Sequence, residues 1–417
     1  MQPDSSDDSG FFITLFLSNT TESFSHSKFT HSLIHSLIMR VYLDHAATTP
    51  LSEEVFEAML PYFREHHGNP SSIHADGRKA RTAVEDARKI VADCLDASLG
   101  EIFFTSGGTE SNNMALFGAV RDLGVERIIS SKLEHHCVLH TLEELDEQGN
   151  IQLDFVKTDS RGRVDLAHLE ELLKDKTKKT LVSLMYANNE IGTLLEVEKV
   201  SAMCNANDAL FHSDTVQAVG QFPINVQETY FSFLTGSAHK FHGPKGVGFI
   251  YINGDNIIKP YIFGGSQERN MRAGTENIAG ITGLATAFQL AHTHMNERKA
   301  HIEEIRSYFI EQLQSNFSDI QFNGDYDGKY LHKVLSVSFP PTPKTDLIVF
   351  SLDIAGISAS GGSACSSGVE SASHVLAALQ PDDERKTVRF SFSHYNTKAE
   401  IDFTIEKLKT IVVASGS

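Results

Sequence analysis

Strand-like and helix-like segments alternate along the middle of this chain. Apolar runs typical of buried strands occur at 102–105, 127–130, 151–156, 180–187 and 209–212, and helical patterns lie between them. Such alternation builds parallel sheets, in which crossover helices connect neighbouring strands. We therefore predict the α/β fold class, with a mostly parallel sheet between helices and functional loops at the carboxyl ends of its strands.

With 417 residues, the chain exceeds the usual size of one hydrophobic core, which predicts two domains. A helical pattern from Thr275 to about Phe317 is longer than a typical helix, so we expect it to bend or break between them. Short strands follow at 334–339, 357–359 and 388–392, which indicates a smaller α+β domain. The predicted boundaries are 55–295 for the large domain and 39–54 with 296–417 for the small one.

The first 38 residues differ in composition from everything that follows. They contain nine serines, four acidic residues and one basic residue, Lys28. A secretory signal needs a positive start and a transit peptide is rich in arginine, so neither description fits. Globular patterning begins only after Met39. We interpret Met39 as the true start, and residues 1–38 as an extension that is disordered or not translated.

Charge and cysteine content exclude several classes of function. A formal net charge of −18 argues against nucleic acid or an anionic membrane as the main partner. No apolar run approaches the roughly 18 residues of a spanning helix. The four cysteines include no CxxC pair and are too few for a disulfide framework in so long a chain. We therefore expect a protein of the reducing cytoplasm.

The segment 231–252 places Lys240 between two predicted strands. Apolar residues 231–234 lead through small residues to His239 and Lys240, and the next strand follows at 249–252. Apolar strands on both sides would desolvate a lysine and lower its pKa, which makes the amine available for a Schiff base with pyridoxal phosphate (PLP). A solvated lysine in a hairpin fits this segment equally well.

Gly108 and Thr109 lie at the centre of a glycine-rich turn, 105–112, that opens a helix. Glycines let the backbone approach an anion, and free N–H groups at a helix N-terminus point at it, so the turn is a predicted phosphate cradle. The lysine of a P-loop is absent, which argues against a nucleotide γ-phosphate. An ordinary glycine turn with a capping threonine is the alternative.

Three more polar residues follow predicted strands. His135 could stack on a flat ring or move protons, and Asn189 could bind a phenolic oxygen or a carboxylate. Asp214 could hold a pyridinium nitrogen protonated. The alternative for His135 is a zinc ligand or a structural histidine. The alternative for Asn189 is a turn, and that for Asp214 is a helix cap. Each signal is weak, but together with Lys240 and the cradle they indicate a PLP site.

Two polar loops remain. The glycine-rich loop 264–275 could clamp an anion, contact a neighbouring subunit or simply be solvated. Cys365 lies among glycines and serines in 360–368, so we expect it to be exposed, unlike Cys94, which falls on the apolar stripe of a helical pattern. Exposure suits a nucleophile that reaches into a site and then presents its cargo outside. An incidental loop cysteine is the alternative.

Taken together, these motifs resemble the cysteine desulfurases, fold-type I PLP enzymes of the class V aminotransferase group. The resemblance runs from about Val41 to the C-terminus, and its spacing from Lys240 to Cys365 is similar to that of the NifS/IscS branch. Gly361-Gly362 stands where that branch often has Ser-Gly. The motifs are Leu43–Pro50 (LDHAATTP), Gly68–Ser72 (GNPSS), Thr105–Asn112, Glu134-His135, Asn188–Gly192, Asp214 with Gln217, Ser237–Lys240 and Ser363–Cys365.

The resemblance implies a role for each matched residue. Lys240 would form the Schiff base and later move the Cα proton, His135 would stack on the ring and assist, and Cys365 would be the nucleophile. Arg389 would bind the substrate α-carboxylate with Asn189, although the strand pattern alone places Arg389 at the surface. The remaining predicted cofactor contacts are Asp214 at the pyridinium nitrogen, Gln217 at O3′, Asn189, and Gly108, Thr109, Ser237 and His239 at the phosphate, with Thr275 from the other subunit.

For the whole protein, the resemblance implies a homodimer with shared active sites and a seven-stranded PLP-binding domain. It would convert L-cysteine to L-alanine and leave the sulfur on Cys365 as a persulfide, for scaffold or carrier proteins that serve iron–sulfur clusters or thiolated cofactors. No resident metal is expected, with Cys365 at most a transient iron–sulfur ligand. The alternatives are a selenocysteine lyase, another class V enzyme such as a transaminase, or an inactive scaffold protein.

Overall fold

The chain folds around a seven-stranded sheet in a computed structural model that describes residues 40–361, 373–379 and 384–412. The strands are β1 (Val41–Tyr42), β2 (Ile102–Thr105), β3 (Arg127–Ser130), β4 (Gln152–Phe155), β5 (Thr180–Ser183), β6 (Leu210–Ser213), β7 (Phe233–Ser237), β8 (Gly248–Ile252), β9 (Gln321–Asn323), β10 (Val334–Phe339), β11 (Ile357–Ser358) and β12 (Lys386–Ser391). The helices are α1 (Glu53–Arg64), α2 (Ala75–Leu95), α3 (Gly108–Leu123), α4 (His136–Glu147), α5 (Leu166–Leu173), α6 (Val197–Ala206), α7 (Ile278–Thr293), α8 (Met295–Asn316), α9 (Ile348–Ile354), α10 (His374–Leu379) and α11 (Lys398–Val412).

The central sheet is mostly parallel, as the alternating pattern predicts. Its strand order is β2-β8-β7-β6-β5-β3-β4. The parallel pairs are β7-β6, β6-β5, β5-β3 and β3-β4. β8 is antiparallel to both of its neighbours, β2 and β7. β2 therefore runs in the same direction as β7. As a result, the carboxyl ends of β2, β3, β5, β6 and β7 meet along one edge of the sheet.

Apolar side chains cover both faces of this sheet. Because successive residues of a strand point to opposite faces, Phe104 packs into the same core as Val84 of α2, whereas Phe103 packs into the core that contains Met114 of α3. The strand residues on both faces are buried, so the sheet is the middle layer of the fold.

The long helical pattern after Thr275 is broken at one residue. α7 and α8 meet at His294, as the predicted break requires. Phe309 of α8 then packs edge-to-face against Phe390 of the antiparallel sheet β12-β10-β9, which forms the smaller α+β part. In the described residues no helix has the length and apolar character needed to cross a membrane.

The first residues that the structure describes connect the small sheet to the turn that follows β7. β1 pairs in parallel with β11, and Asp44 forms an isolated β-bridge with Ser391 of β12. Thr49 then donates its backbone N–H to the carbonyl oxygen of His239, at 2.8 Å. The segment between these contacts, 43–49, therefore forms a wall shared by both parts of the molecule.

Candidate active site

A pocket of about 310 Å³ lies at the carboxyl ends of the central strands. The structure brings most of the predicted site residues together there, because most of them lie at or just after the carboxyl ends of central strands, whereas Arg389 comes from β12 of the small sheet. Thr275 does not line the pocket, and Cys365 lies outside the described residues. The predicted residues that line it are Gly108, Thr109, His135, Asn189, Asp214, Gln217, Ser237, His239, Lys240 and Arg389.

Lys240 ends a short 3-10 turn, Ala238–Lys240, directly after β7. Its side chain is half-buried, and its Nζ donates to the carbonyl oxygens of Ala46 and Ala47, both at 2.8 Å. Two carbonyl acceptors hold the amine inside the pocket. Lys240 is therefore not the solvated hairpin lysine of the alternative interpretation.

The glycine turn after β2 has the shape of an anion cradle. α3 begins at Gly108, so free backbone N–H groups of its first turn face the pocket. A Cβ atom on Gly108 would come within 2.6 Å of Val216 Cγ2, so this position accepts only glycine without a shift of its neighbour. His239, which also lines the pocket, is neutral at pH 7, because burial and then the charge of Lys240 lower its pKa to about 3.

Asp214 follows β6 with its carboxylate held by two donors. Oδ1 accepts from the backbone N–H of Val216 at 3.0 Å, and Oδ2 accepts from Asn112 Nδ2 at 2.8 Å. The first contact closes an Asx turn rather than a helix cap, because the described chain has no helix between β6 and β7. Only 7% of Asp214 is exposed, and the second contact fixes the carboxylate as part of the pocket lining. The structure therefore does not support the alternative interpretation of Asp214 as a helix cap.

A buried chain of hydrogen bonds stands behind Asp214, and the sequence analysis did not assign it. Burial lowers the pKa of His212 to about 3, so its ring is neutral. Its Nε2 lies 3.0 Å from Asn112 Oδ1 and its Nδ1 2.8 Å from Ser183 Oγ. Since Asn112 Oδ1 can only accept, His212 Nε2 carries the proton and Ser183 donates to Nδ1. The signal in the sequence that could have indicated this chain of hydrogen bonds is a histidine, His212, inside an apolar strand.

His135 caps the N-terminus of α4, with its ring at the pocket wall. Nδ1 accepts from the backbone N–H of Cys137 at 3.1 Å and lies 3.0 Å from Cys137 Sγ. Burial lowers the pKa of His135, which favours the neutral ring. Burial, followed by the charge of Asp214, raises the pKa of the Cys137 thiol, so this neighbouring cysteine stays protonated and is a poor nucleophile.

Arg389 is buried, which corrects its placement at the surface by strand pattern alone. Only 2% of the residue is exposed, because segment 43–45 and Ser360 cover that edge of β12. Nη1 donates to the carbonyl oxygen of Asn189 at 3.0 Å, and Nη2 donates to Asp44 Oδ1 at 2.9 Å. The guanidinium thus lines the pocket as a buried cation.

Gln217 lies across the pocket from these residues. Its Nε2 donates to the carbonyl oxygen of Ala46 at 2.9 Å, whereas its Oε1 has no hydrogen-bond partner among the described residues. The Nε2 amide has two N–H groups, and the contact with Ala46 uses one of them. Gln217 can therefore donate its second N–H to a phenolate oxygen such as O3′.

The sequence analysis gave no role to two buried carboxylates, of which Glu190 lines the pocket and Glu134 lies behind its wall. Glu190 lines the pocket and accepts from Ser373 Oγ, and burial raises its pKa to about 7. Glu134 accepts from the backbone N–H of Met185 at 2.7 Å, and burial raises its pKa well above the usual range. His374 lies 2.9 Å from the carbonyl oxygen of Glu134. The start of α10 is therefore attached to the pocket wall.

The glycine-rich loop 264–275 is tied down within its own chain rather than simply solvated. Glu268 is 5% exposed and pairs with Arg88 through two hydrogen bonds of 2.7 and 3.0 Å. It also accepts from the backbone N–H of Phe104, at 2.8 Å. Thr275, at the other end of the loop, is exposed and lines a separate small cavity with Ser106.

Comparisons with known proteins agree with this geometry. The family Aminotransferase class-V matches residues 41–403. "Cysteine desulfurase IscS" of Dictyoglomus turgidum is 44% identical over 376 residues, which are 89% of this chain and 94% of that protein. A solved "NIFS-like protein" superposes with a TM-score of 0.82 at 37% identity and covers 89% of this chain and 99% of its own. The structure "SspA in complex with cysteine" has a TM-score of 0.74 at 30% identity and covers 86% and 100%.

Proposed function

The chain belongs to the class V aminotransferase family, and we propose on this basis that it is a cysteine desulfurase. It converts L-cysteine to L-alanine and keeps the sulfur on Cys365 as a persulfide. The observation that carries the proposal is the convergence of Lys240, Asp214 and Arg389 on one pocket, in a chain 44% identical to a cysteine desulfurase. An inactive scaffold has no need of that convergence.

The cofactor is pyridoxal 5′-phosphate, on which cysteine desulfurases of this family depend. The residues present fit it, because the N-terminus of α3 at Gly108 offers backbone N–H groups to a phosphate, and Asp214 presents a fixed carboxylate for a pyridinium nitrogen. Thr109, Ser237 and His239 are the other proposed phosphate ligands. When bound, the cofactor supplies an electron sink for negative charge at the substrate Cα.

Lys240 and His135 are the proposed proton-handling residues. Lys240 Nζ would hold the cofactor and move the substrate Cα proton, from a position set by the carbonyl oxygens of Ala46 and Ala47. His135 would contact the ring and assist, with its orientation fixed by the backbone N–H of Cys137. Gln217 would donate to the phenolic oxygen O3′ of the cofactor.

Arg389 and Asn189 are the proposed ligands of the substrate α-carboxylate. Both line the pocket, and Arg389 Nε has no hydrogen-bond partner among the described residues. A buried guanidinium held on two sides is a strong and rigid carboxylate ligand.

The sulfur step needs a thiolate, which the resemblance assigns to Cys365. Its Sγ attacks the substrate sulfur, an S–S bond forms as the Cβ–S bond breaks, and Cβ takes up a proton. The balance is one cysteine and one Cys365 thiol giving one alanine and one Cys365 persulfide, without an external oxidant. A transaminase would have no use for this cysteine.

Product analysis of the purified holoenzyme tests the function. With L-cysteine and excess dithiothreitol, alanine and sulfide should form in equal amounts, and without reductant each active chain should hold one persulfide. L-selenocysteine run in parallel separates the alternatives. Turnover of selenocysteine with refusal of cysteine would identify a selenocysteine lyase, and release of a keto acid would identify a transaminase.

We further propose a cytoplasmic homodimer that hands its sulfur to scaffold or carrier proteins. Thr275 is exposed and lies outside the pocket of its own chain, so a second copy is the natural source of this phosphate contact. The division into a large domain, 55–295, and a small domain, 39–54 with 296–417, is part of the same proposal.

Asn112 should strengthen cofactor binding through its hydrogen bond to Asp214. Asn112→Ala removes the hydrogen bond to Asp214, and a bond to a charged group contributes about 1.5–3 kcal/mol. We expect the affinity of the apoenzyme for PLP, measured by absorbance titration, to fall at least about 10-fold. Asn205→Ala, an exposed helical asparagine, is the matched control and should bind normally. Equal affinities would show that Asp214 needs no such support.

A further inference from the structure

A second lysine lies directly behind Lys240. Lys333 precedes β10, is only 2% exposed, and donates from Nζ to the backbone carbonyl oxygen of Lys240 at 3.2 Å. Its own carbonyl oxygen accepts from the backbone N–H of Phe392, which fixes its main chain. An ammonium has three N–H groups, and this contact uses one. A buried cation of this kind is costly unless an anion accompanies it.

Lys333 lines a small cavity that is separate from the candidate active site and shares Lys240 with it. Arg298 and Lys299 of α8 also line the cavity, and no carboxylate does so among the described residues. Three histidines also line the cavity, but burial lowers their pKa values to about 3 or 4, so they carry no charge at pH 7. Glu303 lies 3.9 Å from Lys299, and Glu54 and Glu297 act on Arg298, so the excess positive charge of the lining comes from Lys240 and Lys333. The histidines are His242, His332 and His394.

We propose that this cavity is a binding site for one small monovalent anion of the size of chloride, with the Lys333 ammonium as its main ligand. The cavity volume of about 20 Å³ suits one or two water-sized particles and excludes a tetrahedral oxyanion such as phosphate. The site rests on contacts of the chain itself and is independent of the proposed function.

Other charges around Lys333 determine how the site responds to pH. Burial, followed by the charges of Lys240 and Arg389, lowers the pKa of Lys333 to about 7. The charge of Lys333 in turn lowers the pKa of His45, His239 and His332, and Lys299 and Arg306 of α8 also act on His332. An anion beside Lys333 offsets this repulsion and raises the pKa of Lys333, so anion binding and proton uptake are linked.

The sign of the effect follows from the two states of the chain. Between pH 7 and the unfolded value of 10.5, the unfolded chain holds a proton that the folded chain lacks, so stability rises with pH. Below pH 7 the folded chain carries the full cost of the buried ammonium. An anion that binds only the folded state should therefore stabilise the protein at pH 6 and have little effect at pH 9.

Bromide, which replaces chloride and scatters anomalously, locates the site directly. Crystals of the holoenzyme grown in sodium bromide should show an anomalous peak beside Lys333 Nζ, and crystals of Lys333→Met should not. Ordered water without an anomalous peak would overturn the proposal, as would a peak that persists in Lys333→Met. If Lys333→Met folds poorly, the wild-type crystals alone show whether bromide binds beside Lys333. Lys333→Gln is then the variant that should lack the peak.

Melting curves give an independent solution test. At pH 6 and equal ionic strength, sodium chloride should raise the Tm of the holoenzyme over sodium gluconate by about 2–4 °C, and the difference should vanish at pH 9. Lys333→Gln should abolish the difference, whereas Lys176→Met, an exposed lysine, should keep it. A chloride effect unchanged in Lys333→Gln, or bromide seen only in molar soaks without any effect on Tm, would refute the site.

Discussion

Lys240→Ala should abolish turnover of L-cysteine, with a loss of at least about 10³-fold. Nζ of Lys240 is the amine that the carbonyl oxygens of Ala46 and Ala47 hold inside the pocket, and no other lysine lines that pocket among the described residues. The wild-type protein should be yellow, and borohydride should fix PLP to the peptide that contains Lys240. In the variant, borohydride should fix no PLP.

Lys245→Ala is the matched control for this experiment. Lys245 lies five residues further along the same connection but is exposed, so we expect its replacement to leave absorbance and turnover unchanged. PLP fixed at Lys245, or at the buried Lys333, would overturn the assignment of Lys240.

Cys365→Ser should stop sulfur transfer while leaving the cofactor chemistry intact. A serine hydroxyl is not ionised near neutral pH and cannot accept the substrate sulfur, so alanine and persulfide should fall to the detection limit. In the proposed mechanism, PLP binding and removal of the Cα proton depend on Lys240, His135 and Asp214 and not on Cys365. The variant should therefore stay yellow and still change its absorbance spectrum when cysteine is added.

Two other cysteines provide controls for Cys365. Burial raises the pKa of Cys94 to about 11 and that of Cys204 to about 12, so both stay protonated, and their serine variants should keep most of the activity. Cys137 is unsuitable as a control because its Sγ contacts His135. Near-normal desulfuration by Cys365→Ser would mean that the enzyme is a simple eliminating lyase.

The sequence predicts those parts of the fold that depend on local pattern. Alternating apolar runs place β2, β3, β5, β6 and β7 within a few residues of their observed bounds, although β5 ends at Ser183 rather than at Ala187. Once strand order makes their carboxyl ends coincide, Gly108, His135, Asp214 and Lys240 must approach one another. The break of the long helix at His294 follows from its length alone.

Contacts between distant segments could not be predicted in this way. The hydrogen bond from Asn112 to Asp214 spans 102 residues, and the ion pair of Arg389 with Asp44 spans 345. Each depends on which segments cover which edges, and no local pattern encodes that. Arg389 is the clearest example, because its own strand looks ordinary and two segments distant in sequence, 43–45 and Ser360, cover it.

The shared wall of residues 43–49 also affects the order in which the site can be completed during synthesis. This segment leaves the ribosome early, yet it contacts Lys240 near the middle of the chain and Arg389 close to the end. At roughly 5–20 residues per second, the interval between β8 and Arg389 takes on the order of 10 s to translate. A nascent chain can therefore bring segment 43–49 together with Lys240 well before Arg389 is available to contact it.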